Sequence, residues 1–365
     1  MVADPFMIIG MTSRVAVFVL LVLAGTTAIV VRTGAAQRPK PPGAEFSGEA
    51  FRFNKIQDGI YHAVGSGAMS VGCNATIIVN AEDVLIVDSH STPAAAWALA
   101  EQVKTITDKP IRYVINTHFH WDHAHGNQVY GPDVEVIGHE FTRRMLAAGE
   151  SMRGRSWDMF IGGVPSQIAQ LGKQIDAMAD GAPKEKLREQ LRIQEQYRQA
   201  LATIKPQPPT ITLTDTMTLY RGGREIRLMF LGRAHTGGDV VVYLPKEHVV
   251  ATGDLLTAGP SYLGDAYLMD WSATLERLRA LDFDTVLPGH GDAFQGKAKI
   301  DHFQSYLKDF WQQAKTMHDA GLSAEEAARR IDMRSHAGDF PTLKDIGVLN
   351  HGVYRAYDQI DGRIQ

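Results

Sequence analysis

Only one cysteine, Cys73, stands in the 365 residues. No intramolecular disulfide can form, and any metal the chain binds must be held by histidine and carboxylate groups. Beside Gly72, Cys73 reads as a small packing residue. Positive charge is not in excess either. The 37 Lys and Arg face 41 Asp and Glu, a net charge of −4, so no global positive field exists to hold a polyanion and nucleic acid is a poor default partner. Repeats of 20 to 50 residues are absent, as is low-complexity sequence beyond one Pro/Gly-rich stretch. The one long apolar run is Val15 to Val31.

That run has a specific setting. Arg14 precedes it, the small residues Thr33, Gly34, Ala35 and Ala36 follow, and "QRPKPPG" comes next. This is the order of charge, apolar core and small-residue cleavage site found in a secretory signal, with Met11 as an alternative start. Residues 1–36 are therefore expected to be a signal peptide, which places the mature chain in the periplasm, without stable membrane association. The competing reading is an uncleaved anchor facing the periplasm, because 17 residues reach the lower limit for a span. Residues 37–50 read as a linker, and folded structure should begin near Phe51.

From there β-like runs alternate with helical ones. Strands are expected at 60–64, 74–80, 83–89, 111–117, 134–139, 210–220, 225–231, 239–245 and 247–253, with a helix at 94–106. Such alternation indicates a layered α/β fold. Between about 143 and 205 the chain becomes charged and helical, "PKEKLREQLRIQEQYRQALATI" above all, and reads as a helical insertion. Residues 301–365 read as a C-terminal helical extension.

The segment "NTHFHWDHAHGN" (116–127) packs four histidines and one aspartate into twelve positions after the apolar run Ile111 to Ile115. In extended chain alternate side chains share a face, so His118 and His120 can point at one ion. Asp122 and His123 follow where the chain should turn, and can aim at a neighbouring point. A second ion is implied. His125 reads as a bystander. Three further candidates sit just past β-like runs: His235 in "GRAHTGGD", Asp254 in "TGD" and His290 in "PGHG". Strand ends gathered at one edge of a sheet are where an α/β fold builds its site. The Gly-rich "GSGAMSVGCN" (65–74) lacks the Lys-Ser/Thr and following helix of a phosphate loop, and reads as a hairpin tip lining the pocket.

Taken in this order, "HFHWDH", "GRAHTGGD", "TGD" and "PGHG" resemble the metallo-β-lactamase superfamily over roughly residues 51–300. The resemblance implies an αββα four-layer sandwich with metals in a cleft along one edge. It implies that His118, His120 and His235 hold a first metal, that Asp122, His123 and His290 hold a second, and that Asp254 bridges them. Aspartate at that last position resembles esterases, thioesterases and lactonases more than the β-lactamase branches, which usually carry cysteine or serine there. The exported chain with a loop over its cleft suits β-lactamases.

The chemistry to expect is that of two zinc ions sharing a hydroxide at neutral pH, with Asp122 or Asp254 orienting it and passing on its proton. The substrate would be a small molecule with a cyclic amide or ester, β-lactam-like or lactone-like. Alternatives are a thioesterase of the hydroxyacylglutathione hydrolase type, a mononuclear iron persulfide dioxygenase, and a non-catalytic periplasmic metal-binding partner. His120 argues against a di-iron reductase, which usually has glutamate there. Asp88, in "VDSH", is expected to fix a ligand histidine, and Tyr262 is a candidate donor to an oxyanion.

Overall fold

Two sheets are built around strands such as Val84–Val87 and Val240–Leu244, whose residues are buried on both faces. In the computed structural model, which describes residues 39–364, the first sheet runs in sequence order. Its strands are β1 (Phe51–Gln57), β2 (Ile60–Gly65), β3 (Ala75–Val79), β4 (Val84–Val87), β5 (Ile111–Ile115), β6 (Glu135–His139) and β7 (Ile211–Leu213). The second comprises β8 (Thr216–Arg221), β9 (Arg224–Phe230), β10 (Val240–Leu244), β11 (Val249–Gly253), β12 (Thr285–Pro288) and β13 (Phe294–Gln295), in the order β13-β12-β11-β10-β9-β8. The expected signal segment, residues 1–36, lies outside the described residues.

Side-chain alternation sorts each strand between two cores. In β4, Leu85 and Val87 face the space between the sheets, while Val84 and Ile86 face outward toward helix α1 (Pro93–Val103). In β10, Val240, Val242 and Leu244 share the inter-sheet core, while Val241 and Tyr243 face the opposite way. That outer core is closed by helices α7 (Leu268–Arg279), α8 (Ala298–Asp319), α9 (Ala324–Arg330) and α10 (Asn350–Ile360). The layers are thus helix, sheet, sheet, helix, as the αββα expectation holds.

Between β5 and β6 lies the short helix α2 (Trp121–Ala124), and between β6 and β7 lie α3 (Glu140–Ala147), α4 (Gly154–Phe160), α5 (Val164–Ala177) and α6 (Ala182–Leu201). Two details depart from the sequence reading. The run 210–220, read as one strand, breaks at Thr214 and Asp215 into β7 and β8, which belong to different sheets. Residues 39–50 hold no helix or strand, yet they do not form a free tether. Ala44 and Ala50 are buried, and Gly43 approaches α6 so closely that a Cβ there would lie 2.8 Å from the Ala200 Cβ. No helix among the described residues is long and apolar enough to cross a membrane.

The topology gathers particular strand ends. β4, β5 and β6 are parallel, so their C-terminal ends share one edge of the first sheet. β11 is parallel to β12, and β10 runs antiparallel to both β9 and β11, so β9, β11 and β12 also end together. Asp88, the 116–127 segment, His235, Asp254 and His290 all follow these ends.

Candidate metal centre

After β5 the chain bends through Thr117, His118 and Phe119, and His120 is the N-cap of α2. This places His118, His120 and His235 as one buried triad, and Asp122, His123 and His290 as another. Within each, the donor atoms lie within 4.8 Å of one another. His235 Nε2 is 3.0 Å from His120 Nδ1, and His290 Nε2 is 3.3 Å from His123 Nε2 and 3.1 Å from Asp122 Oδ2. Asp254 stands between them. Its Oδ2 is 3.6 Å from His235 Nε2 and 3.4 Å from His290 Nε2, and its Oδ1 is 3.5 Å from His123 Nε2. All seven residues singled out by the sequence meet at one point of the fold.

Three of the five histidines, His118, His120 and His123, are held from behind through the remaining ring nitrogen, which fixes which nitrogen faces the centre. Asp88 Oδ2 lies 2.8 Å from His123 Nδ1 and accepts its proton in a hydrogen bond. Asp88 is itself fixed, accepting from the Thr117 N–H at 2.8 Å and from the Thr117 hydroxyl. The same hydroxyl accepts from His118 Nδ1–H at 3.0 Å, which leaves His118 Nε2 buried without a partner. Asp88 does this from a left-handed backbone conformation, φ 67°, a strained geometry kept by these contacts. The expected role of Asp88 behind a histidine is what its contacts show.

One such partner escaped the sequence reading. Asp265 Oδ2 lies 3.1 Å from His120 Nε2 and accepts its proton, freeing Nδ1 for the centre. It sits 145 residues along the chain from His120, in a loop with no periodicity to flag it. Asp265→Asn keeps the shape but removes the charge that fixes the tautomer. It should weaken metal binding about tenfold, read by competition with a chromogenic chelator; unchanged affinity would show that Asp265 does not position His120.

Close approach also explains a glycine. A Cβ at Gly289 would overlap Asp254 Oδ1 and lie 2.7 Å from His123 Cε1. The "PGH" turn therefore needs glycine to bring β12 against the centre.

Electrostatics divide the two triads. Burial, reinforced by the neighbouring imidazoles, drives His118 well below its ordinary value and His235 down to about 3. Both are neutral donors. Burial opposes charge on His290 and His123 as well, but Asp254 and Asp122 push His290 up to about 10, and the carboxylates Asp122, Asp254 and Asp88 carry His123 well above the usual range. Asp122 is held well below the carboxylate range by His123 and His290, against the effect of its burial. The second triad thus draws cationic charge inward. A divalent cation satisfies that demand together with the orphaned His118 Nε2 and the buried Asp254 Oδ1, which has no hydrogen-bond partner. The donor set of imidazole and carboxylate fits zinc.

Two nearby residues play other parts. Cys73 is buried with Sγ 3.6 Å from His90 Nδ1, and burial pushes its thiol up to about 12. It stays neutral, as a packing residue. His125 lies 2.8 Å from Ser151 Oγ through Nε2 and is lowered to about 3 by burial. It ties the metal loop to the helical insertion.

The centre opens into a cavity of about 350 Å³ lined by Gly72, Trp121, Phe160, Pro260, Ser261 and Tyr262 beside the candidate ligands. Gly72 brings the tip of the 65–74 loop to the pocket. The Tyr262 hydroxyl is buried without a hydrogen-bond partner, and burial raises it above its ordinary value.

A family model described as the metallo-beta-lactamase superfamily matches residues 70–290. The chain belongs to the metallo-beta-lactamase superfamily. Its curated relatives include a linear primary-alkylsulfatase of a Pseudomonas species, 23% identical over a 307-residue alignment that covers 78% of this chain and 55% of that protein. The chain spans about half the length of the first such relatives it matches. Among solved structures, a stereoselective inverting sec-alkylsulfatase from a Pseudomonas species aligns with a TM-score of 0.60 at 16% identity, over 85% of this chain and 50% of that one. A metallo-beta-lactamase from Pontibacter korlensis aligns at 0.51 and 19% identity, over 71% and 99%. Both alignments show the superfamily fold.

Proposed function

We propose that the chain is an exported, dinuclear zinc hydrolase that cleaves a carboxylic ester or cyclic amide, lactone-like or β-lactam-like. The observation that carries this reading is Asp254, whose two oxygens reach histidines of both triads. A single tetrahedral ion uses four donors, whereas seven converge here.

In this reading His118, His120 and His235 would hold one zinc ion, Asp122, His123 and His290 would hold the other, and Asp254, within reach of both triads, would be shared between them. Zinc bound there supplies Lewis acidity toward the scissile carbonyl and brings the pKa of water toward 7. The residues of the chain do the rest. Asp122 and Asp254 are ionised, and their free lone pairs orient the attacking water and take its proton. Asp88 keeps His123, and Asp265 keeps His120, from rotating. The protonated Tyr262 hydroxyl, unpartnered at the pocket wall, is placed to donate to the oxygen that gains charge. No serine or cysteine nucleophile is needed.

Similarity to the linear primary-alkylsulfatase, which covers more of the chain than the 28% matched by a metallo-beta-lactamase of Elizabethkingia meningoseptica, favours a second reading in which the bond cleaved is a sulfate ester. The two are separated by assaying the zinc-loaded full chain against an aryl ester, a lactone, a thioester, a chromogenic cephalosporin and a primary alkyl sulfate. Turnover of the ester or lactone, or of the cephalosporin, supports the first reading. Turnover of the alkyl sulfate alone replaces it with the second.

A further inference from the structure

The metal pocket does not end at its own walls. Phe160, Pro260, Ser261 and Tyr262 line both the pocket and a second, larger hollow of about 1050 Å³. This groove runs between the 260–263 loop and the C-terminal helices. Its floor includes the buried rings of Tyr306 and Phe310 on α8, and its outer wall is the segment 342–352 that leads into α10. On that wall Ile346 and Leu349 are 54% and 53% exposed, which makes them unusual among the large apolar side chains of the described residues. Phe160, at the junction, is 42% exposed.

Charge says what the groove does not take. Its only charged lining residues, Glu325 and Arg329, are of opposite sign, so no charge of one sign is collected for a polar ligand. Continuity says what it does take. An occupant seated along the groove would meet the metal centre at Tyr262, so the occupant and the reacting group belong to one molecule. A groove of this size, with aromatic and aliphatic walls, suits a hydrocarbon chain.

Resting on the hydrolase reading above, we propose that the substrate is a single-chain amphiphile, with its scissile group at the metal centre and its aliphatic tail in the groove built by the C-terminal helices. Specificity for tail length then resides in the extension and not in the ligand shell.

The test pairs binding with turnover in the full, zinc-loaded chain. Calorimetry with 1-decanol and 1-butanol, which have no bond to hydrolyse, reads the groove alone. Each methylene moved out of water should tighten binding roughly three- to fourfold, so decanol should bind at least tenfold more tightly than butanol. In parallel, kcat/KM for 4-nitrophenyl esters should climb from acetate to decanoate, mainly through KM. Ile346→Lys and Leu349→Lys, both lining the groove and about half exposed, should cut decanol affinity and the decanoate-to-acetate ratio at least tenfold while keeping the wild-type melting temperature. Equal binding of the two alcohols, or variants that bind decanol like the wild type, would overturn the proposal. A change in sedimentation size on Ile346→Lys with decanol affinity intact would assign the groove to self-association and overturn it too. Tight decanol binding without turnover of any ester leaves the groove assignment supported and removes the carboxylic-ester reading instead.

Discussion

Asp254→Asn should retain about one zinc ion per chain and lose on the order of 10²-fold or more in kcat. The substitution preserves size and removes only charge. In the wild type that carboxylate lies 3.4 Å from His290 Nε2, 3.5 Å from His123 Nε2 and 3.6 Å from His235 Nε2, so it is the one side chain shared by both triads. It contributes two things the histidines cannot. In a dinuclear zinc centre it would hold the two metal positions at a fixed separation and offset part of their combined 4+ charge. Without it the second triad depends on Asp122 for its only anionic donor and should bind zinc more weakly. The first triad, three imidazoles of which Thr117 fixes His118 and Asp265 fixes His120, should survive. Excess zinc should restore part of the activity. Two zinc ions and near-normal turnover in the variant would show that Asp254 is not the bridge.

Trp271→Ala should cost about 3–5 kcal/mol of folding stability. Trp271 on α7 is fully buried, packs edge-on against Phe303 at 5.0 Å, and donates from Nε1 to the Leu255 carbonyl at 3.0 Å. Its ring is 5.7 Å from that of His235. Truncation leaves a cavity beneath the second sheet and orphans a carbonyl one residue past Asp254. Stability and metal retention should therefore fall together. Trp271→Phe refills most of the volume but lacks the donor, and should cost about 1–3 kcal/mol. Urea denaturation of the zinc-loaded chain reads both. A Trp271→Ala midpoint matching the wild type would place the energetic centre of this layer elsewhere.

The candidate ligands were legible because metal chemistry restricts residue type and β-structure restricts position. The close spacing of His118 and His120 brings both to one point, although the chain bends at 117–119 where extended backbone was expected, and Asp254 and His290 are marked by the glycine turns that close β11 and β12. The strands were legible for a similar reason. Runs such as Val240–Leu244 are apolar throughout because both faces are buried. What was not legible is what depends on contacts between distant segments. Nothing in "GPSYLGDAYLMDW" distinguishes Asp265 from a solvated loop residue until the fold brings it to His120. Continuous alternation through 210–220 does not say which sheet a strand joins, and the chain crosses between sheets at Asp215. Helix α5 buries only Val164 and Ile175, so its apolar stripe was too thin to delimit it within the insertion.

The dinuclear centre itself is tested most directly by counting metal in an active preparation. Elemental analysis of the purified full chain, scaled to active protein, should find close to two zinc ions per chain. His118→Ala, which removes the orphaned Nε2 donor, should lower zinc occupancy and turnover together. A preparation fully active with one iron ion and no zinc would contradict the dinuclear zinc centre.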